Sequence, residues 1–141
     1  MAAPPEPILN RKSPGTFLLF HLPAIAYAAL IYYISSLQHI HPPSFGMAWD
    51  DKIYHFGEYA VFSILIFIAL KYYRAGFIAR HVHLWAAAVP WLFAITDEIH
   101  QYYVPGRDAT LGDLAADFLG AVCAQIFLII ILRYIRQKRV D

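Results

Sequence analysis

Five short polar motifs interrupt an otherwise apolar chain, and their residue types could do chemistry. Asp51, His55 and Glu58/Tyr59 recur at i, i+4 and i+7/i+8, so on a helix they share one face. Lys52, His55 and Tyr59 make an overlapping stripe. Asp97, Glu98 and Gln101 form a second stripe, and Asp113, Asp117 and Gly120 a third, with Arg107 and Asp108 just before it; Ser35-Ser36 stands apart upstream. An imidazole beside carboxylates has the composition of a general acid–base pair, so His55, Asp51 and Glu98 are the catalytic candidates. Lys52 and Arg107 can hold a phosphate or carboxylate, Lys as a point charge and Arg by two parallel hydrogen bonds. Tyr59, Asp97, Gln101, Asp113 and Asp117 join them as candidate ligand-binding residues.

Other chemistries fit the residues less well. No Ser or Cys stands in a recognisable nucleophile motif, and the single cysteine, Cys123, lies among Ala and Val and reads as packing. A metal set would use His55 with Asp51, Glu98 and Asp113, mixed N/O donors suited to Zn or Mn. No His-Glu-x-x-His motif accompanies it, and a lone His near carboxylates is more often a hydrogen-bonded partner, so no metal or other cofactor is expected. His39, His41, His81, His83 and His100 read as solvated histidines in loops or at span ends.

The elements that must position these groups follow from composition. The 141 residues are 60% hydrophobic and 15% charged, against about 45–50% and about 25% in soluble domains, with a mean hydropathy of +0.48. A soluble globule of this size would expose much of that surface to water. The solvent expected is therefore lipid. A net charge of +1 and 16% aromatics give no footprint for nucleic acid, and one cysteine excludes a disulfide scaffold.

Four apolar stretches run over residues 16–37, 53–70, 84–101 and 111–132, and the first, 22 residues without a charge, is long enough to cross a hydrocarbon core roughly 30 Å thick. The first exceeds a signal-peptide core and reads as an uncleaved anchor. The fold class expected is an all-α integral membrane bundle of four transmembrane helices. Its domain spans residues 16–134, between a flexible tail (1–15) and a basic tail (135–141).

Charge placement orients the bundle. Nine of the eleven Lys and Arg lie at the N-terminus (Arg11, Lys12), in the middle loop (Lys71, Arg74, Arg80) and at the C-terminus (Arg133, Arg136, Lys138, Arg139). The positive-inside rule makes both termini cytoplasmic. Eight of the ten carboxylates then face the outer side, with only Lys52 and Arg107 for balance. Asp50, Asp51 and Asp108 sit where they can snorkel to headgroups. Carboxylates one or two turns inside a span cost several kcal/mol if they face lipid, so the three stripes should turn toward one another. Trp49, Tyr54, Tyr59, Tyr102 and Tyr103 read first as an interfacial belt and second as a ligand-stacking lining.

The ordered motifs Ser35-Ser36, Asp51-Lys52-x-x-His55-Phe56-x-x-Tyr59, Asp97-Glu98-x-x-Gln101, Arg107-x-x-Thr110-x-x-Asp113 and Asp117-x-x-Gly120 resemble those of the VanZ-like family. These are small bacterial membrane proteins named for an accessory protein of glycopeptide-antibiotic resistance. Asp117 stands where the family often has Asn, adding a negative charge, and Thr110 where it often has Ser. The resemblance implies a multi-pass protein of the bacterial inner membrane, a role in the cell envelope and, in some members, teicoplanin resistance. It supplies no reaction.

Three functions remain open. The first is binding of an anionic, lipid-linked or envelope ligand at the outer leaflet, with membrane lipids as partners and oligomers allowed. The second is an intramembrane enzyme that modifies a lipid headgroup through a His/carboxylate pair. The third is a transporter or channel subunit, against which stand residues 64–70 and 123–132, read as offering no polar continuation inward.

Overall fold

The computed structural model describes residues 14–38, 43, 46, 47, 49–72 and 76–139, and these are helical with short turns. The expected N-terminal tail and its Arg11-Lys12 pair lie almost wholly outside the described residues, as do His39, His41 and Arg74. Five helices follow one another: α1 (Pro14–Ser35), α2 (Asp50–Leu70), α3 (Gly76–Arg80), α4 (Val82–Tyr102) and α5 (Leu111–Gln137). Local chemistry sets the ends. Pro14 opens α1, where its missing N–H leaves nothing unsatisfied. Asp50 and Asp51 sit in the first turn of α2, where the helix dipole favours negative charge. After α4, Gly106 turns the chain at φ +81°, a left-handed conformation open to glycine. Thr110 then caps α5 by accepting the Asp113 N–H.

Two boundaries differ from the sequence reading. Part of the middle loop forms the short α3. The last helix runs on to Gln137, into the segment read as a basic tail, because Tyr134, Ile135, Arg136 and Gln137 carry nothing that stops a helix.

The long helices alternate in direction. The C-terminal ends of α1 and α4 and the N-terminal ends of α2 and α5 meet at one end of the bundle, joined by Ser35–Asp97, Lys52–Asp113 and Thr110–Glu98 hydrogen bonds. α2 and α5 form the most extensive pair, α4 packs on both, and α1 leans on α2. The seams use small residues: Ala86 and Ala94 on α4, and Ala116, Gly120, Ala121 and Ala124 on α5, are buried. Lipid tails match aliphatic side chains, so helix association relies on such close backbone approach. At Gly120 the approach is closest, since a Cβ there would collide with the carbonyl oxygen of Phe56. An apolar core of Ile31, Tyr59, Phe62 and Ala94 lies beneath the polar end, with Phe62 edge-on to Phe93 at 5.4 Å.

By length and composition α1, α2 and α5 can cross a membrane. Their outer faces carry large exposed apolar side chains, among them Leu18, Leu19 and Ile25 on α1 and Phe127 and Ile130 on α5. A surface of that kind matches lipid and not water. α4 has the same 21 residues as α2, but Asp97, Glu98, His100 and Gln101 make its last turns polar.

Candidate functional site

At the polar end, α2 and α5 present their acids and bases to each other. Lys52 Nζ lies 2.7 Å from Asp51 Oδ2 and 2.6 Å from Asp113 Oδ1, so one ammonium bridges a half-exposed carboxylate and a buried one. Asp113 is held again by the Thr110 hydroxyl, which donates to its Oδ2 at 2.6 Å. Thr110-x-x-Asp113 is thus half a capping box. In its reciprocal half the N3 acid would take the Thr110 N–H; here Glu98 of α4 takes it at 3.1 Å, freeing Asp113 for Lys52. One turn deeper, His55 Nδ1 is 2.9 Å from Oδ1 of the fully buried Asp117, and His55 Nε2 is 4.0 Å from Asp113. Lys52, His55, Asp113 and Asp117 therefore form one connected patch, with Glu98 at its edge.

Asp97 and Gln101 belong to a separate buried knot against α1. The Ser35 hydroxyl donates to Asp97 Oδ2 at 2.7 Å, and the Gln101 amide donates to the same oxygen at 2.9 Å. Both acceptor and donors sit on the seam, so the knot fixes the end of α1 on α4. Arg107 stands elsewhere again. Its Nη2 donates to the Ile34 carbonyl at 2.6 Å, a group near the end of α1 that also accepts the Leu37 N–H at 3.1 Å, and it makes no ion pair among the described residues. Tyr59 is fully buried, its hydroxyl without a partner among the described residues. Buried oxygens on Asp97 (Oδ1), Glu98 (Oε1) and Asp117 (Oδ2) also find no donor among the described residues.

A model of the VanZ/LLP1 family matches residues 15–133. The chain belongs to the VanZ/LLP1 family. The match runs from the first turn of α1 almost to the end of α5, so every site residue above lies inside it, and the family is the one the five motifs resemble. With three helices apolar enough to cross a bilayer, this VanZ/LLP1 chain is a membrane protein. No curated relative and no solved structure matches the chain.

The roles of four polar groups of this VanZ/LLP1 chain escaped the sequence reading. Gln125, inside the segment read as offering no polar continuation, is buried; its amide donates to Ser63 Oγ at 2.7 Å and accepts at Oε1 opposite His83 Nδ1 at 2.8 Å. The Ser63 hydroxyl lies 2.9 Å from the Ala86 carbonyl and 3.0 Å from that of Ala121. This ties α2, α4 and α5 together below the site. His83 is accordingly not a solvated loop histidine: it lies in the first turn of α4, stacked on Phe67 at 4.8 Å. His100 likewise stacks on Tyr32 at 4.3 Å, with Ser36 Oγ 2.9 Å from its Nε2. A signal was present, because Gln125 continues the Asp113/Asp117/Ala121 spacing at i+12.

Proposed function

We propose that this family member is a four-span protein of the bacterial inner membrane, both termini cytoplasmic, whose outer-side cluster binds the anionic headgroup of a lipid-linked envelope intermediate. Such binding serves envelope physiology and, where glycopeptides are met, teicoplanin-type resistance. The observation that carries this reading is Arg107. Lys52 is occupied by two carboxylates and His55 by a third, whereas Arg107 spends only Nη2, on a carbonyl. Among the described residues of the cluster it is the cation left for a headgroup. Two residues on, Ala109 and Thr110 border a groove of about 410 Å³ walled by Ile95, Ile99, Leu111 and Leu114 and reaching Glu98. An apolar channel beside a polar cluster suits an acyl or polyprenyl chain whose headgroup enters the cluster.

Arg107→Lys tests the reading. Lys can still donate to the Ile34 carbonyl, so the variant should express and fold. It cannot make two parallel hydrogen bonds to a phosphate. Glycopeptide susceptibility and co-purified lipid should therefore resemble those of Arg107→Ala, and a fully active Lys variant would sink the proposal.

The orientation is supported by Lys71, Arg80, Arg133, Arg136, Lys138 and Arg139, all at the bundle end opposite the cluster. Alkaline-phosphatase fusions after Pro43 and Gly106 should be active and a fusion after Gly76 inactive. Activity at Gly76 would overturn the topology, and the outer-leaflet site with it.

The His55–Asp117 pair favours a second reading, an enzyme that modifies the bound headgroup, in which Asp117 orients the imidazole as general base. A headgroup species present with wild type and missing with His55→Ala would select it.

A further inference from the structure

We propose that His55, Glu98 and Asp117 form a binding site for one divalent metal ion of the zinc or manganese type. A ring nitrogen of His55 and one carboxylate oxygen from each acid lie within 4.8 Å of one another, although they come from three helices. The His55 Nδ1 to Asp117 Oδ1 distance of 2.9 Å is a hydrogen bond without the ion; once the ring proton leaves, a six-coordinate ion with bonds of about 2.1 Å would hold two neighbouring donors about 3.0 Å apart, so the pair can take it with little movement. One imidazole with two carboxylates is a hard, mixed N/O set, matched to Zn or Mn and unsuited to soft ions.

Separate observations point to a ligand here. Asp117 is 1% exposed, yet its Oδ2 is buried with no donor among the described residues, and Oε1 of Glu98 is in the same state. The fully buried Tyr59 hydroxyl, one turn along α2 from His55, also lacks a partner among the described residues. Buried oxygens without donors are rare in native proteins and call for water or an ion. Charge agrees. Lys52 is committed to Asp51 and Asp113, and no ion pair among the described residues reaches Glu98.

The same geometry removes Asp51 and Asp113 from the donor set that sequence spacing suggests, since both face the Lys52 ammonium. The Thr110 N–H, donating to Glu98 Oε2 at 3.1 Å, holds that carboxylate in place, the outer support typical of metal ligands. His55 keeps 16% of its side chain exposed, which leaves a way in for the ion. The site does not depend on the lipid-binding reading, and its test uses no lipid.

Protein purified in detergent, with any histidine tag removed, is stripped with chelator and titrated with ZnCl2 and MnCl2 by calorimetry; bound metal is then counted by elemental analysis after dialysis. Wild type should hold one ion per chain. Asp117→Asn keeps an oxygen to accept from His55, so it should fold by circular dichroism yet bind at least about tenfold more weakly. Glu98→Gln should do the same and carries the test if Asp117→Asn melts early. His81→Gln, at the other end of the bundle, should bind as wild type. No ion retained by wild type, unchanged affinity in both acid variants, or loss of binding in His81→Gln would each overturn the site.

Discussion

Gly120→Val should leave almost no folded protein in the membrane, while Gly57→Ala should accumulate as wild type. Both glycines are helical, and the helix preference of Val against Ala differs by at most about 0.7 kcal/mol, too little to separate the outcomes. What differs is the neighbour. A Cβ at Gly57 meets nothing within 4 Å, whereas one at Gly120 meets the carbonyl of Phe56, a backbone atom in the middle of α2 that cannot rotate aside. Overpacking costs about 1–3 kcal/mol when side chains can yield. Here the two helices must separate, and the cost reaches or passes the upper end of that range. Separation also opens the His55–Asp117 pair on one side of the contact and the Ser63–Gln125 pair on the other. Membrane yield and a monodisperse elution in detergent measure the outcome; a Gly120→Val protein that elutes and melts like wild type would refute the close α2–α5 crossing.

Lys52→Met should destabilise the bundle by about 2–3 kcal/mol. Removing one partner of a buried pair costs about 3–5 kcal/mol, because the other charge stays behind without compensation. Asp113 is that charge, with 4% of its side chain exposed, while Lys52 retains 31%, so water offsets part of the loss. Met preserves the length and apolar stem of Lys, which confines the change to the ammonium. Adding Asp113→Asn to Lys52→Met should recover a large part of the loss, since the stranded charge disappears while an oxygen remains to accept from Thr110. Melting temperatures of the four proteins in detergent close the cycle. Single-mutant costs that simply add would show that the pair carries no coupling and that the 2.6 Å contact contributes nothing.

Much of this protein is legible in one dimension. Apolar runs of about twenty residues mark α1, α2 and α5 as helices able to cross a bilayer, because a bilayer requires that length whatever the neighbours are. The stripes Asp51/His55/Tyr59 and Asp113/Asp117/Gly120 follow from the helical repeat alone. So does the Thr110 cap, whose acceptor and donor are three residues apart. The family, too, is readable from five motifs in order.

Pairing is not readable in that way. His55 lies one turn from Asp51 on the same helix, yet its partner is Asp117 on α5, because Asp51 turns outward to Lys52. Arg107 has Asp108 beside it in sequence and bonds instead to the carbonyl of Ile34, 73 positions away. Asp97 and Glu98 are adjacent, but successive side chains on a helix point about 100° apart, so one enters the α1 knot and the other the α5 cap. Gln125 looks like a lapse in an apolar run until Ser63 and His83 stand beside it. Periodicity determines which residues share a face. The rotation and depth of one helix against another depend on close contacts such as Gly120 on Phe56, made between residues far apart in the chain, and those alone decide which acid meets which base.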